Sequence, residues 1–148
     1  MAHSYTKGEF VPKNQSKYVG KVPIIYRSSY EKEFLEWADR SPSVLEYGLE
    51  SVVVKYYNPI KQRPARYIVD VYLKYRNRNG EIKEELIEIK PIQQVRPPTK
   101  GKKKKKSTLV REAATWHVNQ AKWRAAMKYA DERGWTFRIL TENSIFKG

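Results

Sequence analysis

Residues 65–91, ARYIVDVYLKYRNRNGEIKEELIEIKP, read as two strands joined by a tight turn. Arg66 to Tyr75 alternates under a β-branched and aromatic bias, and Glu81 to Lys90 repeats the alternation more weakly. Asn79-Gly80 between them is a hairpin signal. The length of the turn fixes which side chains share a face. A two-residue loop at Asn79-Gly80 puts Asp70 opposite Ile89. A three-residue loop, Arg78-Asn79-Gly80 with Gly80 left-handed, puts Asp70 opposite Glu88. Val69, Val71 and Leu73 have to share a face with Ile87 and Ile89, because a one-residue slip mixes core with solvent on both strands. The pattern therefore selects the three-residue loop, and the second face collects Asp70, Glu88 and Lys90.

Two carboxylates opposite each other on neighbouring strands have β-carbons roughly 5 Å apart and repel. Something positive has to sit between them. A diagonal salt bridge from Lys90 is one solution, common on solvated sheet faces and worth little. A divalent metal is the other, with Asp70 and Glu88 as hard oxygen ligands suited to Mg2+. The residue pattern leaves both open.

Composition narrows the partners. At 148 residues the chain is expected to form one domain with a sizeable core. It has no Cys, which excludes a disulfide framework, a cysteine zinc cluster and a thiol nucleophile. No apolar run is long enough to span a bilayer, and the polar N-terminus does not read as a secretory leader. The formal net charge of +14 and pI near 9.9 point to a polyanion, most often nucleic acid. No basic amphipathic helix favours a membrane surface instead.

Residues 1–21 form a polar, basic stretch without periodicity, expected to be a loosely ordered arm ahead of a single domain over 22–148. A helix is expected from about Ser29 to Asp39, capped by Ser28 or Ser29, with Tyr30, Phe34 and Trp37 as its apolar stripe. Ser43 to Gly48 reads as a link into a strand over Ser51–Tyr57, with Glu50 at its mouth. Lys61 to Arg66 reads as a basic turn into the hairpin. After it, about 95–107 is expected to be a mobile, Lys-rich loop gripping phosphates: Lys100, Lys102, Lys103, Lys104, Lys105 and Lys106. A long helix follows from about Thr108 to Arg133, capped by Ser107 or Thr108 and ended by Gly134. Leu109, Ala113, Trp116, Trp123, Met127 and Ala130 make its stripe, and Gln120 falls among them. A buried amide costs stability unless hydrogen-bonded, so Gln120 either bonds a neighbouring carbonyl or faces the acids on the sheet. His117 and Lys122 lie off the stripe. A final strand runs from Trp135 to Thr141. Helix, strand, hairpin, long helix and strand make an α/β arrangement with a mixed sheet flanked by helices.

IVD at 68–70 followed by EIK at 88–90 resembles the split motif of the PD-(D/E)xK nuclease superfamily, which has a restriction-endonuclease-like core. SSYEKEFLEWAD, YGLESVVVKYYNP, ARYIVDVYLKY, ELIEIKP, NQAKWRAA and GWTFRILTE carry a closer resemblance to the head-completion nucleases of T4-like phages, themselves similar to TnsA-type transposon endonucleases. The resemblance covers most of the chain from about Lys21 onward. It implies a Mg2+-dependent DNA endonuclease, with Mn2+ as a substitute, acting on double-stranded DNA. Asp70 matches the motif's Asp, Glu88 its second acid and Lys90 its lysine; Glu31 matches the first-helix acid and Gln120 a helix glutamine. Val69 stands where the signature has Pro. Asp70, Glu88 and Glu31 would hold the metal, with the Ile89 carbonyl. Lys122 would position substrate, and Glu50 looks like a characteristic acid of this group, either reaching the metal or supporting the site from behind. The resemblance further implies a role in head completion after DNA packaging, with phage portal or head proteins as partners, in the virion or the cytoplasm of an infected bacterium. Two other roles suit the same residues: a catalytically weak structural head-completion protein that binds DNA or portal, and a TnsA-like transposition endonuclease.

Overall fold

The computed structural model describes residues 7–99, 101 and 104–142. Along them run β1 (Gly8–Phe10), β2 (Ile24–Tyr26), α1 (Ser29–Arg40), β3 (Val44–Asn58), β4 (Arg63–Arg76), β5 (Ile82–Ile89), α2 (Ile92–Val95), α3 (Lys106–Glu132) and β6 (Thr136–Leu140). A single 3-10 turn, Gln15–Lys17, lies between β1 and β2. No helix among the described residues is long and apolar enough to cross a membrane.

The hairpin has the register that the hydrophobic pattern selects. Val71 lies opposite Ile87 and Arg76 opposite Ile82. Asn77 N–H donates to the Glu81 carbonyl at 2.8 Å, and Gly80 N–H to the Asn77 carbonyl at 3.0 Å. The loop is thus Arg78-Asn79-Gly80, with Gly80 at φ +80. Continued by one pair, this register sets Asp70 against Glu88.

Strands β3, β4, β5 and β6 form one sheet in that order, with β6 parallel to β5 and the others antiparallel. The crossover through α3 supplies the parallel strand, so the sheet is mixed. One sheet face carries Leu49, Val71, Leu73, Ile87 and Ile89 under Phe34 and Leu35 of α1. The other carries Val54, Tyr67, Tyr72 and Leu86 under Trp123, Ala126 and Ala130 of α3.

Val69 does not join Val71 and Leu73; it packs with the α3 layer. The cause lies in β3, which runs unbroken from Val44 to Asn58 where a link and a shorter strand were expected. Leu49 pairs with Val71 but Val52 pairs with Val69, so Glu50 and Ser51 together oppose Asp70. This is a β-bulge, with Glu50 in the left-handed region at φ 54. β3 keeps its alternation through the bulge, with Leu49 toward α1 and Val54 toward α3, so its partner β4 changes face at Asp70: Val71 and Leu73 lie in the α1 layer, Val69 and Tyr67 in the α3 layer. Glu50 is therefore mid-strand, not at a strand mouth. The hairpin strand also begins earlier than expected, at Arg63, so the turn shrinks to the residues before it.

Helix α1 is capped by the Ser28 side chain, which accepts from Glu31 N–H. Leu35 and Ala38 are fully buried, whereas Trp37 is 40% exposed. The buried stripe of α3 is Asn119, Trp123, Ala126 and Ala130, with Met127 turned outward. This helix starts at Lys106 without a side-chain cap, so Ser107 and Thr108 lie inside its first turn. Its end is as expected: Gly134 takes φ +73 and Trp135 N–H returns to the Ala130 carbonyl at 2.8 Å.

The described part of the N-terminal stretch is not loose. Lys13 and Asn14 N–H donate to the Asp39 carboxylate at 3.0 and 3.2 Å, and Tyr47 OH adds a third bond at 3.0 Å. Lys17 Nζ donates to the Asp39 and Ser41 carbonyls at 3.0 and 2.7 Å, closing the C-terminal end of α1 with a positive charge. Val19 N–H bonds the Tyr47 carbonyl, and a β-carbon at Gly48 would collide with the Val19 carbonyl oxygen.

Candidate active site

The bulge, the hairpin and the start of α1 bring four acids to one region. Asp70 Oδ2 accepts from Ile89 N–H at 2.8 Å, which ties its carboxylate across to β5. Glu88 is 5% exposed. Its Oε1 accepts from Tyr67 OH at 2.7 Å, and its Oε2 lies 3.4 Å from Lys90 Nζ. Burial and the neighbouring Glu88 charge push the Asp70 carboxyl up to about 8, with Glu31 adding to the effect and the Ile89 N–H opposing it. Burial also raises Glu31, with the Glu50 and Glu88 charges acting the same way. Glu31 Oε1 accepts from Arg27 N–H at 2.8 Å, so this side chain both tightens the start of α1 and faces the other acids. Arg27 lies 3.7 Å from Glu50.

Two like charges held this close cannot both ionise cheaply. Among the described residues, the cation against this pair is Lys90, and it touches Glu88. The donor set is two hard carboxylates on adjacent strands, which fits a divalent cation. Among the described residues, no group of three or more acidic, His or Cys side chains closes into a ready metal shell. Solvent and substrate oxygens would have to complete the coordination.

The remaining expected residues divide. Lys122 lies over the tyrosine that holds Glu88: its Nζ is 5.6 Å from the Tyr67 ring and 5.9 Å from the Tyr56 ring, within cation–π range. Gln120 is half-buried and borders a cavity with Trp123, Met127, Phe137, Arg138 and Ile139; Ile139 is the β6 neighbour of Glu88. Lys104 is engaged elsewhere, at 3.0 Å from Glu112 and 2.8 Å from the Thr99 carbonyl. Lys105 and Lys106 are exposed at the start of α3, and Lys100, Lys102 and Lys103 lie outside the described residues.

Sequence reasoning missed Tyr67. It sits at an odd position from Asp70, which regular alternation assigns to the other face. Burial of its hydroxyl against Glu88 and Asp70 raises its pKa strongly. A tyrosine three residues before the first acid, on a strand rich in aromatic residues, carries no signal of its own.

The chain is 40% identical to the head completion nuclease of Enterobacteria phage T4, in an alignment of 156 positions covering 100% of this chain and 99% of the relative. Residues 41–142 match the family model described as TnsA-like endonuclease N terminal. The matched span holds Glu50, Asp70, Glu88, Lys90 and Gln120, and Glu31 precedes it. The mixed sheet flanked by helices is a restriction-endonuclease-like core. On the match to 41–142 and the full-length relative together, this chain belongs to the TnsA-like endonuclease family.

Proposed function

We propose that the chain is a divalent-metal-dependent DNA endonuclease that acts in phage head completion. The buried Asp70–Glu88 pair beside Lys90, in a member of an endonuclease family, is the observation that carries the reading. The head-completion role rests on the relative's name and on identity across the full chain. The +14 charge suits a DNA substrate.

Asp70 and Glu88 would hold the cation, preferably Mg2+, with the Ile89 carbonyl and with solvent and substrate oxygens, and Glu31 would add its negative charge from the start of α1. When bound, such a cation offsets charge on the scissile phosphate and acidifies the attacking water. Lys90 orients that water or offsets the negative charge that develops on phosphate, since its ammonium already lies against Glu88. Tyr67 holds Glu88 by one oxygen and limits its rotation. Ile89 N–H fixes Asp70 in the same way. Lys122, over the Tyr67 ring, and Gln120, in the cavity lined by Ile139, would position DNA from α3. Glu50 is a supporting acid, held by Arg27.

The test is cleavage of linear, supercoiled and branched DNA with Mg2+ or Mn2+, with EDTA controls. Wild type is compared with Asp70→Ala and Lys90→Ala. Metal-dependent cutting abolished in both variants is the expected result. Cutting that persists in both would mean the chemistry lies elsewhere. DNA binding without any cutting would leave a structural head-completion protein.

A further inference from the structure

We propose that the outer half of the β3–β4 hairpin is a ribbon that docks the phosphate backbone of double-stranded DNA leading away from the active site. This rests on the nuclease reading for what the bound DNA is for. Beyond the bulge, one side of the ribbon packs under α3 through Val54, Tyr67 and Val69. The other side carries three cross-strand pairs: Val53 with Ile68, Lys55 with Arg66, and Tyr57 with Pro64. None of these six belongs to either core. Tyr57 is 57% exposed and Ile68 50%.

Charge is one-sided here. Residues 51–69 contain Lys55, Lys61, Arg63 and Arg66 and no acid. All four are exposed, and none is in an ion pair among the described residues. Lys55 and Arg66 are direct partners in the ladder, where like charges repel. An anion lying across the strands relieves that repulsion, and a phosphate run supplies one. Exposed Tyr57 and Ile60 add apolar surface for sugar and base edges.

The ribbon is also built in advance. Its tip is held by Asn58, whose Oδ1 accepts from Ile60 N–H at 2.9 Å and Lys61 N–H at 3.0 Å. Asn58 itself is 7% exposed. A two-stranded ribbon is a shape that the major groove of a duplex admits. Its inner end is the bulge opposite Asp70, so DNA on the ribbon runs directly to the acids.

The experiment is fluorescence anisotropy with a labelled duplex in EDTA, over a series of salt concentrations. Lys55→Gln/Arg66→Gln and Lys61→Gln/Arg63→Gln are each expected to weaken binding about tenfold at moderate salt. Each should flatten the log–log salt slope by about two, at roughly 0.9 for every phosphate that is no longer neutralised. Lys55→Arg/Arg66→Lys keeps both charges and is expected to bind like wild type. Melting curves confirm that every variant is folded. Ribbon variants that bind DNA with wild-type affinity and slope would overturn the proposal and leave this face to an acidic protein partner. A wild type that does not bind duplex would overturn it too. Because the readout is binding without metal, a chain that never cuts DNA still reports on the ribbon, so the two failures are distinguishable.

Discussion

Asp39 and Asp70 are both aspartates largely withdrawn from water, and their surroundings differ in kind. Asp39 receives two backbone N–H groups and a tyrosine hydroxyl, all neutral donors converging on one carboxylate. Asp70 receives one N–H and otherwise faces Glu88 and Glu31. The first arrangement closes a structure: it joins the N-terminal stretch, the end of α1 and β3. The second leaves negative charge that only a cation or a proton can settle. A buried acid is structural where donors meet it and chemical where other acids meet it.

The largest effect is expected at Asp70. Asp70→Asn keeps an acceptor for Ile89 N–H, so the fold should persist while Mg2+-supported cleavage falls by about a thousandfold or more. Single-turnover cleavage beside a melting curve separates the two; undiminished cleavage would erase the contrast with Asp39. Asp39→Ala should do the reverse. Unpairing two part-buried N–H groups and a buried hydroxyl should cost about 2–3 kcal/mol in urea unfolding, with cleavage per folded molecule unchanged. A loss of activity without a loss of stability would make Asp39 something other than a clasp.

A smaller effect should appear with pH in the metal-free protein. The Asp70 carboxyl ionises near 4 in an unfolded chain and at about 8 in the fold. Its protonated form therefore favours the fold, fully below about pH 4, and this contribution is lost as the pH rises through 8. In EDTA at pH 9, Asp70→Asn should be more stable than wild type, by on the order of 1–2 kcal/mol given a site partly open to water. Chemical denaturation at pH 6 and 9 measures it, and equal stabilities at both would remove the repulsion from the account. Tyr67→Phe should have the smallest effect: about 1 kcal/mol of stability and about tenfold in cleavage, through looser Glu88. Titrating Mg2+ against the variant tests this, since a pure packing role would leave the metal requirement unmoved.

The hairpin was readable because two independent signals agreed on its register. The Asn79-Gly80 turn allowed two loop lengths, and the apolar pattern on β5 tolerated one of them. Asp70, Glu88 and Lys90 followed at once. The bulge was not readable, because Glu50 has to adopt a positive φ that its side chain disfavours, and nothing local announces it. With the bulge went the placements of Val69 and Tyr67. The anchoring of residues 13–19 was equally hidden: it depends on Asp39 and Tyr47, far along the chain, and basic residues without periodicity look solvated. On α3 the amphipathic period was right in kind. A one-residue rotation near its end exchanged Met127 for Ala126, a difference that apolar counting does not resolve.

The bulge at Glu50 and Ser51 also bears on how such a chain can change length over generations. Strand alternation has a period of two, so losing one of these residues would turn the outer part of β3 over. Lys55 and Tyr57 would then be pressed beneath α3, and Val54 would be driven into water. Residues added at Arg78–Gly80 would merely lengthen an exposed loop. Natural variants of this chain are thus free to differ at the hairpin turn, while the two-for-one count opposite Asp70 should persist through lineages that replace most of the side chains around it.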